Sequence, residues 1–250
     1  MGKIGLQLYS IKEISEKDFF GAIKLTADCG YDGIEFAGYF DTPAKELKKV
    51  LDSNGIMPCG THTGFESLEN EFNKTVEYNL EIENRYIIIP WIPTEMCNSR
   101  NAWLKTAERM NFMNSKLKDH DIKFGYHNHA FEFEKFDGSY GYDILAENTA
   151  PDMLLEIDTF WVEYAGANVV EYVKKYKNRL DLIHIKDMDD NRISTEVGNG
   201  SMDFPSIVKS ADETDWFIVE QEAFSIPMEK SIKISFDYLK GIVKWKYWIQ

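Results

Sequence analysis

Eight short apolar runs, each followed by a stretch with helical periodicity, divide this chain from end to end. The runs are residues 4–9, "YDGIEFAG", "IMPCGTHTG", "YIIIPW", "IKFGYHNH", "MLLEID", "LDLIHIKD" and "WFIVEQE". "YIIIPW" is wholly apolar, as a parallel strand buried on both faces must be. Strict alternation of strand and helix with short connections implies a parallel sheet. Eight such units in 250 residues close into a single (β/α)8 barrel, here expected to span residues 1–250 as one domain. A doubly wound open sheet is the competing architecture, but the first strand–helix turn lacks a glycine-rich dinucleotide fingerprint.

The helix signals agree with this frame. Ser10 or Ser15 is the expected cap of the first helix, and Gly30 follows its end. Thr42 is the expected cap of the second, with Pro43 at its first position and Gly55 beyond its last. The stretch "LENEFNKTVEYNLEIEN" reads as one continuous helix.

Charge and cysteine usage narrow the function. The formal net charge of −14 repels phosphate backbones, so nucleic acid is not an expected partner. The lysine clusters at 45–49 and 174–179 read as solvated helix faces. Cys29, Cys59 and Cys97 stand singly, without metal-knuckle or redox spacing, as reduced thiols of a cytoplasmic protein would. No leader or membrane-spanning run is expected.

In a barrel of this kind chemistry sits at the carboxyl ends of the strands. Glu35, His62, His127, His129, Glu156, Asp158, His184, Lys186, Asp187, Glu220 and Glu222 all fall there, and of the five histidines only His120 does not. A lone histidine at a strand end is more often a satisfied hydrogen-bonding group than a ligand. Several carboxylates gathered in one mouth, however, repel one another unless a cation neutralises them. A mixed histidine–carboxylate set without thiolate suits manganese, magnesium, cobalt or zinc. Glu156, two residues before Asp158, points the same way one layer deeper, where it must be paired.

The run "GLQLYS … YDGIEFAGY … THTG … YHNHAFEF … LEIDTFWVEYAG … LIHIKDM … VGNGSMDF … FIVEQE" resembles the sugar phosphate isomerase/epimerase group of the xylose-isomerase-like barrels, over nearly the whole chain. That resemblance implies one divalent ion held by Asp158, His184 and Glu220, with His127 where relatives carry a strand-five glutamate. His129 and Glu132 are the alternatives at that place, as is a site of three protein ligands plus water. Trp161 stands where several relatives have a histidine after the "DT" motif, which speaks against a multi-zinc DNA-repair site. The resemblance further implies proton abstraction α to a carbonyl, with Glu220 as base, Glu156 or His129 as partner and Lys186 steadying an oxyanion or acting as acid. Lys186 could equally form an ion pair with Glu156 or Glu220.

His129, His62, Glu35 and Trp161 are the expected substrate-binding residues, and Tyr9, Phe36, Trp91 and Trp161 are candidate walls for a sugar ring. The loop at residues 197–204 offers backbone N–H groups to which a phosphate could bind. Isomerisation or epimerisation of a small-molecule sugar leads; elimination from an inosose or a 3-keto sugar or glycoside follows. An inactive sugar-binding barrel is the non-enzymatic reading. The resemblance leaves a homo-oligomer open.

Overall fold

A computed structural model describes residues 2–245, so both ends of the expected 1–250 domain lie outside the described residues. Eight parallel strands form a closed barrel: β1 (Lys3–Gln7), β2 (Gly33–Phe36), β3 (Met57–His62), β4 (Tyr86–Ile89), β5 (Lys123–His127), β6 (Leu154–Asp158), β7 (Leu182–Ile185) and β8 (Trp216–Val219). Each strand pairs with its sequence neighbours, and β1 closes the ring on β8 with Lys3 opposite Trp216 and Leu6 opposite Val219. The expected (β/α)8 barrel is therefore the observed fold.

The helices are α1 (Phe19–Asp28), α2 (Ala44–Asn54), α3 (Phe72–Glu81), α4 (Arg100–Lys118), α5 (Gly141–Asn148), α6 (Val169–Tyr176), α7 (Phe204–Ser210) and α8 (Met228–Trp245), with shorter turns between. Outward-facing Ile34, Phe36, Ile183 and Val219 pack with Leu47, Val173 and Ile232 of the helices in one core. Ile87, Ile89, Phe124 and Tyr126 pack on Trp103, Met110 and Leu117 of α4 in another. Inside the barrel, Cys59, Ile88, Leu154, Leu182, Trp216 and Ile218 form a small apolar plug. A side chain at Gly33 would place its Cβ 2.6 Å from the Trp216 ring, so the bulk of β8 requires the emptiness of β2. Cys29, Cys59 and Cys97 are free thiols, all buried.

Several expected boundaries move. Asp18, not Ser10 or Ser15, caps α1 by accepting from the Gly21 N–H at 2.8 Å. Ser10 Oγ instead accepts from the Gln221 N–H at 3.0 Å, and Ser15 lies in a separate short helix (Lys12–Ser15). Pro43, not Thr42, holds the cap position of α2, while Gly55 ends that helix at φ 62°, a left-handed conformation that glycine adopts freely. The long helix expected before β4 breaks at Glu71 into Phe65–Asn70 and α3. No helix among the described residues is long and apolar enough to cross a membrane.

Candidate active site

Alternation along the strands turns the apolar plug into a polar mouth. On β6, Leu154 faces the plug and Glu156 and Asp158 follow it inward; on β7, Leu182 is followed by His184 and, just past the strand, Lys186, and Ile218 of β8 by Glu220 just past its end. Asp158 is at once the last residue of β6 and the cap of the helix Thr159–Tyr164. Its Oδ1 accepts from the Trp161 N–H at 3.0 Å, which aims Oδ2 into the barrel.

Two imidazoles stand between the layers. His127 turns Nδ1 toward Glu156 Oε2 at 3.2 Å and Nε2 toward Asp158 Oδ2 at 3.9 Å. His184 turns Nδ1 toward Glu220 Oε2 at 2.8 Å and Nε2 toward Glu35 Oε2 at 2.6 Å. Glu35 is itself held by Gln7 Nε2 at 2.8 Å, and His62 Nε2 meets Glu156 Oε2 at 2.9 Å. Gly60 makes room for this layer, since a Cβ there would lie 2.5 Å from Glu35 Oε1. A carboxylate behind each ring fixes its orientation and tautomer, the arrangement that prepares histidine to ligate a metal through its other nitrogen.

The donor set fits a divalent cation. Ligand atoms of His127, Asp158, His184 and Glu220 lie within 4.8 Å of one another, all buried. Asp158 Oδ2 accepts no hydrogen bond among the described residues, and Glu35 Oε1 and Glu156 Oε1 are likewise unpartnered. Burial pushes the Asp158 and Glu156 carboxyls up to about 7, as expected of acids lacking enough positive charge nearby. Burial acts the same way on Glu220, but Lys186 and His184 outweigh it and hold that carboxyl well below its usual range.

The alternatives at strand five separate clearly. Glu132 is fully buried and turned back on its own loop, accepting from Tyr126 Oη–H at 2.6 Å and from the His129 N–H at 2.9 Å. His129 lies at the mouth with Nδ1 unpartnered, its ring centroid 5.5 Å from that of Trp161. Among the described residues neither belongs to a cluster of ligand atoms; His127 does.

Above these groups opens a cavity of about 560 Å³ lined by Tyr9, Trp91 and Trp161 with His62, His127, His129, Glu220 and Glu222. Glu35 and Glu156 are fully buried and do not line it. Phe36, a candidate wall, is absent from it too: it sits in the outer core, edge-on to Phe19 at 6.3 Å. The Lys186 ammonium forms its short ion pair with Glu222, and lies 3.9 Å from Glu220 and 4.0 Å from Asp158. Glu222 was legible only as a strand-end carboxylate two residues past Glu220; pairing with Lys186 at the cavity wall is a tertiary fact.

The loop at residues 197–204 does not keep its N–H groups for phosphate. Gly198, Gly200 and Met202 donate theirs to Asp187, at 2.9, 2.9 and 3.3 Å. The following helix is capped by Asp203.

This geometry agrees with what the chain is similar to. Its sequence matches the xylose isomerase-like TIM barrel family over residues 23–242. The chain belongs to that family. Among individual proteins, this xylose isomerase-like barrel is 24% identical to inosose dehydratase of Clostridium beijerinckii, over 87% of the chain and 88% of the relative. A sugar phosphate isomerase/epimerase from Parabacteroides distasonis superposes with a TM-score of 0.84 at 25% identity, covering 96% of this chain and 94% of that one. The IOLI protein with a bound zinc atom shares the fold at 16% identity, with a TM-score of 0.78 and coverage of 99% and 100%.

Proposed function

We propose that this barrel is a divalent-metal-dependent isomerase or epimerase that moves the proton α to the carbonyl of a sugar or sugar derivative. The observation that carries this reading is the convergence of His127, Asp158, His184 and Glu220 beneath an aromatic-walled cavity, with Asp158 Oδ2 buried and accepting no hydrogen bond among the described residues. These four residues would hold the ion, which when bound supplies a Lewis acid for the carbonyl and for the negative charge left by proton removal. Glu220, kept ionised by Lys186 and His184, accepts the α-proton on its carboxylate. Lys186 brings a positive charge to the oxyanion side of the substrate. His129, kept neutral because burial pushes its pKa down to about 4, offers an unprotonated ring nitrogen to a substrate hydroxyl.

Trp161, Trp91 and Tyr9 stack on the C–H face of the ring. Glu35 and Glu156, below the cavity, act as positioning residues for His184, His127 and His62. Because three N–H groups of the 197–204 loop are taken by Asp187, an unphosphorylated substrate is favoured. The net charge of −14 likewise favours a small neutral substrate over nucleic acid.

Dehydration is the second reading, favoured by the inosose dehydratases among the similar proteins. It starts from the same proton removal and ends with loss of the β-hydroxyl as water instead of reprotonation. Incubating the protein and Mn²⁺ with ketoses, inososes and 3-keto-glycosides in D2O tests both. Deuterium at the α-carbon with unchanged mass otherwise supports isomerisation; a product lighter by one water supports dehydration. Glu220→Gln is expected to abolish exchange. A wild-type protein that binds these compounds yet exchanges no proton is a binding module, and the enzymatic reading fails.

A further inference from the structure

The polar layer under the mouth contains a second set of ligand atoms that no step above uses as ligands. His62, His127, Glu156 and His184 also bring one ligand atom each within 4.8 Å of one another. Glu156 Oε2 lies 2.9 Å from His62 Nε2, 3.2 Å from His127 Nδ1 and 3.3 Å from His184 Nε2. Donors on a tetrahedral zinc with bonds of about 2.1 Å stand roughly 3.4 Å apart, so these spacings are close to those of a zinc site. Glu156 Oε1 is buried and accepts no hydrogen bond among the described residues, so one oxygen of this carboxylate is left for a cation.

The same two rings serve both layers through opposite nitrogens. For the mouth, His127 presents Nε2 and His184 Nδ1; for the deeper layer they present Nδ1 and Nε2. A neutral imidazole carries one lone pair in the ring plane and one N–H, so each ring can ligate at one layer only. Three imidazoles and one carboxylate suit zinc, whereas two imidazoles with two carboxylates at the mouth suit manganese.

We propose that the barrel holds a second, deeper cation position, formed by His62, His127, Glu156 and His184, that takes zinc and excludes an ion at the mouth. The exclusion rests on the metal-site reading given above; the zinc position does not. Titration calorimetry of the metal-free protein with Zn²⁺ and Mn²⁺, for wild type, His62→Gln and Asp158→Asn, tests it. His62→Gln is expected to weaken zinc at least about tenfold and to leave manganese unchanged; Asp158→Asn is expected to do the reverse. Zinc added to the manganese-loaded protein is expected to release one manganese per zinc, read by the electron paramagnetic resonance of the freed ion. Retained manganese binding shows that His62→Gln is folded.

If His62→Gln weakens both ions alike or neither, or zinc adds to bound manganese, the proposal is overturned. Zinc bound through His62 with no manganese binding to wild type would remove the mouth reading and the exclusion, and keep the deeper position.

Discussion

Glu132 shows how much one buried carboxyl can weigh. It lies outside the ligand clusters, yet its two oxygens tie Tyr126 to the backbone of His129 and so shape the loop that carries the mouth. Burial pushes its pKa up to about 7 against the hydrogen bonds it accepts. The folded protein therefore holds this proton more tightly than the unfolded chain, and its contribution is complete below the ordinary glutamate range. As pH rises through 7 that contribution is lost, a change of about 3 kcal/mol. In urea unfolding at pH 4.5 and 8, Glu132→Gln is expected to lose less stability than wild type over that interval; equal losses would contradict the account.

At this scale the inward placement of Asp158, His184 and Glu220 was readable in advance, because a period of two puts them on the inner face once the strand ends are known; their role as ligands came only from the resemblance. Glu132, with three candidates in eight residues of sequence, was not: whether such a side chain points in or curls back is decided by a turn with no periodic signal.

The elements carry a different lesson. Strand positions were legible because apolar runs between helices leave little freedom of register, and each expected strand formed. Helix starts were less so. Ser10, Ser15 and Thr42 have the chemistry of caps, but Asp18 takes the first place because the chain first turns through Leu8–Ile11 and Lys12–Ser15 and ties Ser10 to Gln221, just past β8, while Pro43 holds the cap position of α2. Long-range recruitment of that kind also sets the 197–204 loop. Asp187 binds N–H groups 11 to 15 residues away, a pairing that local propensity does not encode. Asp187→Ala leaves those donors without their acceptor, at a cost of about 1–3 kcal/mol for each that stays buried. Hydrogen exchange is expected to accelerate across residues 198–202 while β7 stays protected. Unchanged protection of that loop would show that Asp187 is dispensable to it.

For the molecule as a whole, the proposed ion at the mouth would link binding to stability. An ion held only by the folded state at about 100 times its dissociation constant adds about 2.7 kcal/mol. For a domain of this size that raises the unfolding midpoint by roughly 5–10 °C. Calorimetry with manganese and then with chelator is expected to show that difference in wild type and to lose it in Asp158→Ala; identical midpoints in wild type would argue against a bound ion.

Closure of the barrel between β1 and β8 also orders events during synthesis. Residues 3–6 wait for partners at residues 216–219, and Glu220 follows directly on that last strand. A chain still short of β8 on the ribosome therefore has two bare sheet edges and an incomplete ring of charged groups. Exposed edges of that kind invite pairing with neighbouring chains. Stalled or prematurely terminated products are for that reason the species a cell's chaperones must shield, and the stretch that encodes β8 and Glu220 governs both solubility and the completion of the mouth.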